Sequence, residues 1–261
     1  MISDKNFKYF LKIASVIILL NIALIAYDKN NLQVFIIHGK AGKSENMDNW
    51  LGNYLRNIGY DIYTPDMPWS KTRYIDKSYE DSLTELNSYI TAKMKNNHNQ
   101  KLIIIGHSMG ANGALAYATK YHVDGLILLA PGHYPKNQTK IFGESINRAK
   151  NMIDKNSGDE YANFDDINGG PVISRFMKAN IYYSFFSPNG LSNMGLNAKH
   201  IVPNIPILYI VGLQDPLTQK NGTEIFDNLQ TKNKKYEILN SNHIDVPKDS
   251  RELIRQWLEN L

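Results

Sequence analysis

The chain has 261 residues, long enough to bury a core without disulfide or metal staples and suited to one domain with an insertion. The absence of cysteine excludes thiol catalysis, disulfides and cysteine-ligated metals, and the seven histidines are scattered without metal-ligand spacing. A net charge of +4, half of it from Asp4, Lys5, Lys8 and Lys12, is too small to point to a nucleic-acid partner.

Lys5, Lys8 and Lys12 precede Ile13 to Tyr27, a stretch in which only Ser15 and Asn21 are polar. A cationic start before an apolar segment reads as a secretory signal or a signal anchor. Counted from Phe7 it runs for about 21 residues, enough to span a bilayer if Lys8 and Lys12 snorkel. Cleavage after Ala26 would put Leu24 where a small residue is preferred, so an uncleaved anchor is expected, with residues 1–31 as anchor and linker. That places residues 32–261 outside the cytoplasm on a membrane tether, or secreted or periplasmic if the segment is removed. The lack of a polar face argues against a helix packed on the domain.

Val34 to Ile37 reads as the first strand and ends in His38-Gly39-Lys40. The following Gly42-Lys43-Ser44 imitates a phosphate-binding loop. That motif needs a second glycine five residues earlier, and position 37 is isoleucine. Asn46 to Ile58 shows helical apolar spacing and stops at Gly59. Tyr60 to Tyr63 is a short strand, and Thr64 to Trp69 contains two prolines that enforce a loop. Tyr79 to Met94 is a second helix. Lys101 to Ile105 is a buried strand, Gly106-His107-Ser108-Met109-Gly110 follows, and Ala111 to Lys120 reads as a helix. Gly125 to Ala130 is a further strand, ended by Pro131-Gly132. This alternation implies a mostly parallel sheet covered by helices on both faces.

Between about residues 133 and 200 the alternation stops. Ile141 to Ile153 reads as a helix, Asp159 to Pro171 as a polar loop, and Val172 to Phe186 is dense in aromatic residues. The strand pattern resumes at Ile207 to Gly212, followed by Asp215-Pro216, and at Tyr236 to Leu239, followed by Ser241-Asn242-His243. Lys220 to Leu229 and Lys248 to Leu261 read as closing helices.

Gly106-x-Ser108-x-Gly110 between a strand and a helix is the sequence form of a nucleophile elbow. Here the chain resembles the α/β-hydrolase family, over roughly Leu32 to Leu261. The resemblance implies an α/β-hydrolase fold, a helical cap over residues 133–200, and a triad in the order Ser108, Asp215, His243. A serine hydroxyl needs a base to take its proton, imidazole titrates near neutrality, and a carboxylate holds the imidazole's tautomer. Asp245, two residues after His243, is a rival acid. The resemblance also implies an oxyanion hole after His38-Gly39, with the amides of Lys40 and Met109 as donors. Sequence leaves open which amide of Lys40-Ala41 faces inward. His38 is expected to support the loop, and Lys40 and Lys43 to attract an anionic substrate group.

Met67 and Trp69 approach the cleft in this resemblance, and Phe185 and Phe186 belong to the cap. All four are candidates for substrate contact, with plain core packing as the other reading. No cofactor or metal is implied. The expected activity is hydrolysis of a carboxylic ester or related small acyl substrate through an acyl-serine. A thioesterase, an amidase or an acyltransferase would use the same residues. A catalytically silent, membrane-tethered binding protein is the alternative of a different class. Oligomeric state is not readable.

Overall fold

The computed structural model describes residues 12, 13, 15, 29, 31–94 and 100–261. Its strands, in chain order, are β1 (Leu32–Ile37), β2 (Asp61–Tyr63), β3 (Lys101–His107) and β4 (Gly125–Leu129), then β5 (Tyr161–Asp166), β6 (Ile173–Lys178), β7 (Ile207–Gly212) and β8 (Lys234–Leu239). Six of them form one parallel sheet in the order β2-β1-β3-β4-β7-β8. Val34 of β1 pairs with Ile62 on one side and Ile103 on the other. Both faces of the central strands are buried, which is why they read as unbroken apolar runs rather than as alternation.

Successive side chains go to opposite cores. Val34, Ile36, Ile103, Ile105, Ile127 and Leu129 pack with Leu51, Leu55, Ile254 and Leu258 on one face. Phe35, Ile37, Ile104, Leu126 and Leu128 pack with Leu83, Leu86, Ala114 and Leu115 on the other. Each such Leu or Ile contributes on the order of 2 kcal/mol by leaving water. The covering helices on the first face are α1 (Ser44–Met47), which continues through a π-helical turn (Asp48–Gly52) into α2 (Asn53–Asn57), and the closing helix Arg251–Leu258. On the second face lie α3 (Tyr79–Met94) and α4 (Met109–Ala118). Every residue of α4 is buried, and its many Gly and Ala residues let it sit close on the sheet.

The strand order fixes where a site can form. From β1 the chain moves outward to β2, and from β3 it moves the other way, to β4 and β7. The loops leaving β1 and β3 therefore part above the C-terminal ends of neighbouring strands and open a crevice between them.

Between β4 and β7 runs the insertion: α5 (Pro135–Asp154), the β5–β6 hairpin, α6 (Ala179–Phe186) and α7 (Met194–His200). It is helical only in part. The expected polar loop Asp159 to Pro171 contains β5, in which Phe164 and Asp166 are buried while Tyr161 and Asn163 are exposed. A charge at an inward position hid the two-residue period there. Lys220 to Leu229, expected as one helix, is broken at Gly222, whose φ is +55°.

The insertion shares the second core. Phe164 stacks on Tyr182 at 4.5 Å and Tyr182 on Phe186 at 4.4 Å, and Phe185 meets Tyr79 of α3 edge-on at 5.1 Å. Most of the expected membrane anchor, residues 1–31, lies outside the described residues. Among the described residues no helix is long and apolar enough to cross a membrane.

Candidate active site

Ser108 sits between β3 and α4 with φ 55° and ψ −120°, a conformation costing roughly 1–3 kcal/mol for a residue with a side chain. The flanking glycines make the turn possible. A Cβ on Gly106 would lie 2.2 Å from the Gly110 carbonyl oxygen, and one on Gly110 would lie 2.3 Å from that of Ile37. No larger residue fits either place.

The tight turn directs the Ser108 hydroxyl into the crevice, where Oγ lies 3.0 Å from His243 Nε2. His243 follows β8. Its Nδ1 lies 2.8 Å from Asp215 Oδ2. Asp215 follows β7, caps the helix Pro216–Asn221 by accepting from the Leu217 N–H at 2.9 Å, and is buried. A buried carboxylate with one oxygen on a backbone amide holds the imidazole in the Nδ1–H tautomer, leaving Nε2 to take the serine proton. The rival Asp245 is exposed and accepts from the Asn242 side chain at 2.6 Å, away from the ring.

Two further histidines line the cavity and are buried, and one of them braces this chain of hydrogen bonds. His107 is buried directly behind His243, and its Nε2–H donates to the His243 carbonyl at 2.8 Å. Burial, with His243 nearby, pushes its pKa down to about 4, so at neutral pH it is an uncharged donor. His133, at the start of the insertion, is likewise held near 4 by burial and sits 2.6 Å from the Phe185 carbonyl.

The loop after β1 faces Ser108 from the other side. His38 is buried, donates from Nδ1 to the Gly39 carbonyl at 2.8 Å, and accepts the Met67 N–H on Nε2 at 3.0 Å. Both ring nitrogens are thus engaged in holding the loop, and burial lowers the ring's pKa. The Ala41 N–H donates to the Trp69 carbonyl at 2.8 Å. The Lys40 and Met109 amides have no backbone acceptor among the described residues, and both residues line the crevice. Met109 opens α4, so its N–H is one of the unpaired donors of a helix start.

The crevice holds a cavity of about 800 Å³. Beside the polar groups, Met47, Trp50, Ile141, Ile167, Leu217 and Ile244 line it, an apolar wall suited to a small organic ligand. Met67, Trp69, Phe185 and Phe186, the expected substrate contacts, do not line it. They are core residues: Trp69 stacks on Tyr79 at 5.9 Å and donates from Nε1 to the His38 carbonyl at 2.9 Å. An aromatic-rich segment at helical spacing fastened the insertion to the body instead of lining the cleft. Lys40 is not available to a substrate either, because its ammonium is buried against Asp166. No group of three or more metal-ligating side chains occurs among the described residues.

Sequence reasoning passed over Gly132, His107 and the cavity-facing side of α1. A Cβ at Gly132 would fall 2.5 Å from Ser108 Oγ and 3.1 Å from His243 Cε1. Its position just past the end of β4, beside the elbow strand, was a signal for it.

Known structures of the same fold are similar over most of their length. The chain superposes on one of LipS and LipT, two metagenome-derived lipolytic enzymes, with a TM-score of 0.62 at 17% identity, covering 89% of this chain and 95% of that one. The monoacylglycerol lipase of Paleococcus ferrophilus gives 0.63 at 17%, covering 87% and 94%. A thermostable carboxyl esterase from Bacillus coagulans gives 0.63 at 17%, covering 89% of each chain. A search of curated protein sequences finds no match. The family model Hydrolase_4, described as serine aminopeptidase S33, matches residues 28–242, so the chain belongs to this family of α/β hydrolases.

Proposed function

We propose that the protein is a serine hydrolase that cleaves a carboxylic ester through an acyl-serine intermediate. The observation that carries this reading is the hydrogen-bonded series Ser108, His243, Asp215, with its hydroxyl at the floor of an apolar cavity. Ser108 Oγ attacks the ester carbonyl while His243 Nε2 takes its proton. The oxyanion is received by the amides of Lys40 and Met109, each donor being worth about 3 kcal/mol in the transition state. His243 then protonates the departing alcohol. Water, deprotonated by the same ring, attacks the acyl-serine and releases the acid.

Among the lining residues Asp215 is the sole carboxylate, and it is committed to His243. A peptide with a free amino terminus would require a second carboxylate for its ammonium, so the cavity favours an ester over an aminopeptidase substrate. Thioesters, amides and transfer to an added alcohol pass through the same intermediate. The uncharged, buried bracing of the His243 carbonyl by His107 suits a site that must stay rigid and dry.

Fluorophosphonate labelling together with turnover of a short-chain nitrophenyl ester tests the reading. The wild-type protein labels at Ser108, and Ser108→Ala loses labelling and at least about 10⁴-fold in kcat. A folded wild-type protein that neither labels nor turns over ester, thioester or amide panels would mark it as a silent binding protein. The N-terminal tether is part of the same proposal and rests on the lysine-led apolar run alone. Deleting residues 1–31 is expected to move the protein from the membrane to the soluble fraction.

A further inference from the structure

The loop after β1 is fixed along most of its length by the body of the protein. The Gly42 N–H closes a turn onto the Gly39 carbonyl at 3.0 Å, the Lys71 N–H holds the Gly42 carbonyl at 2.9 Å, and Ala41 is tied to Trp69. Lys40 is the exception, because what holds it comes from the insertion. Its ammonium donates to Asp166 Oδ1 at 2.5 Å and to the Ile167 carbonyl at 2.6 Å. Its carbonyl lies 3.4 Å from the Asn168 side-chain amide. Next to it Ala41 adopts φ 53°, a strained conformation for a non-glycine residue that persists only where the surroundings hold it.

The ion pair is costly. Asp166 is fully buried and the Lys40 side chain is 6% exposed. Arg175 of β6 binds the second oxygen of Asp166 at 2.5 Å. Burial raises the Asp166 pKa, but the two cations outweigh it and hold the carboxyl below its usual range. Lys40, with one carboxylate and Arg175 nearby, is pushed below its ordinary value by burial. Replacing such a buried pair by apolar residues is often neutral or stabilising, so stability does not account for it. What it provides is a fixed geometry at one residue, and that residue lines the cavity beside Ser108 with an N–H that has no backbone acceptor among the described residues.

We propose that the Lys40 side chain is a positioning group: gripped by Asp166 at the end of β5, it orients the Lys40 amide toward Ser108, so that the insertion completes the oxyanion site. This rests on the acyl-serine reading above. The β5–β6 hairpin is then part of the catalytic geometry without touching the reacting atoms. Its grip crosses from the insertion to the switch point of the sheet, a link that no local motif encodes.

Lys40→Met in the full-length protein tests this, because Arg175 keeps Asp166 paired after the ammonium is removed. We expect kcat for the nitrophenyl ester to fall about tenfold to a hundredfold, as for small misplacements of catalytic groups, with KM within about twofold. Phosphonylation of Ser108 should slow by a similar factor, since that adduct also places an oxygen in the site. Lys40→Arg, which keeps a cation for Asp166, should recover most of the loss. Asp166→Asn should repeat the pattern, and it decides the matter if Lys40→Met fails to fold.

Wild-type kcat and labelling rate in the folded variants, or a loss confined to KM, would overturn the inference. A wild-type protein that does not label at Ser108 would sink the hydrolase reading instead, and this inference with it.

Discussion

The loops above β1, β3 and β8 and the insertion between β4 and β7 meet at one cavity, yet they are built on opposite terms. At the switch point, geometry is fixed by backbone sterics: Ser108 sits at φ 55° between two glycines whose would-be Cβ atoms meet the carbonyl oxygens of Gly110 and Ile37. In the insertion, geometry is borrowed from a distance. Asp166 is buried because Lys40, 126 residues earlier in the chain, lies against it. Where sterics leave one residue type possible, the chemistry can be read from the residues. Where a partner far along the chain decides, the same reading sees only a polar stretch.

The contrast is sharpest for the two aspartates around His243. Asp215 is buried and bonded to the ring at 2.8 Å, whereas Asp245 is exposed and bonded to Asn242. Asp215→Asn keeps the shape but offers a donor where an acceptor is needed, and kcat should fall on the order of 10⁴-fold. Asp245→Asn should stay within about threefold, since it removes a surface hydrogen bond remote from the ring. Steady-state kinetics on the two variants decide it. Comparable losses would mean that the acid is not fixed by the β7 loop.

Gly132 stands where the two regions join, at the exit of β4 into the insertion. Its would-be Cβ at 2.5 Å from Ser108 Oγ leaves Gly132→Ala no room unless the hydroxyl or the ring moves. A displacement of that size should cost about a hundredfold in kcat. Gly143, inside α5, has nothing within 4 Å of its would-be Cβ. Gly143→Ala should leave activity unchanged, because no neighbour stands where its Cβ would go. If Gly132→Ala keeps full turnover, the elbow region is less sterically determined than its contacts indicate.

Much of the first region was therefore open to a sequence reading. The strands β1, β3, β4 and β7, the helix Tyr79–Met94 and the elbow glycines follow from apolar runs, helical spacing and turn chemistry, all short-range signals. Ser108, Asp215 and His243 were found because each ends a recognisable strand. What escaped shares one trait. Gly132 and His107 matter through contacts with Ser108 and His243, and β5 exists through its pairing with β6, so in each case the cause lies outside the segment itself. Met67, Trp69, Phe185 and Phe186 show the converse error, since apolar bulk near a cleft in sequence says nothing about which side of the packing it faces.

His107 offers the mildest test, because it acts on the site through stability and not through chemistry. Its ring is buried and neutral, with a pKa near 4 caused by burial first and by His243 second. In the unfolded chain a histidine titrates near 6.5, so between these values the unfolded state binds the extra proton. Stability from this group is complete above about pH 6.5 and is lost as pH falls toward 4, by up to on the order of 3 kcal/mol. His133, shifted the same way by burial, adds to the slope. Thermal melts should therefore show Tm falling from pH 7.5 to 4.5. In His107→Gln, which keeps an N–H for the His243 carbonyl but cannot take a proton, the fall should be shallower. Parallel losses in both proteins would show that the ring behind His243 accepts its proton without unfolding. The bracing of the site would then be softer than the buried contact at 2.8 Å implies.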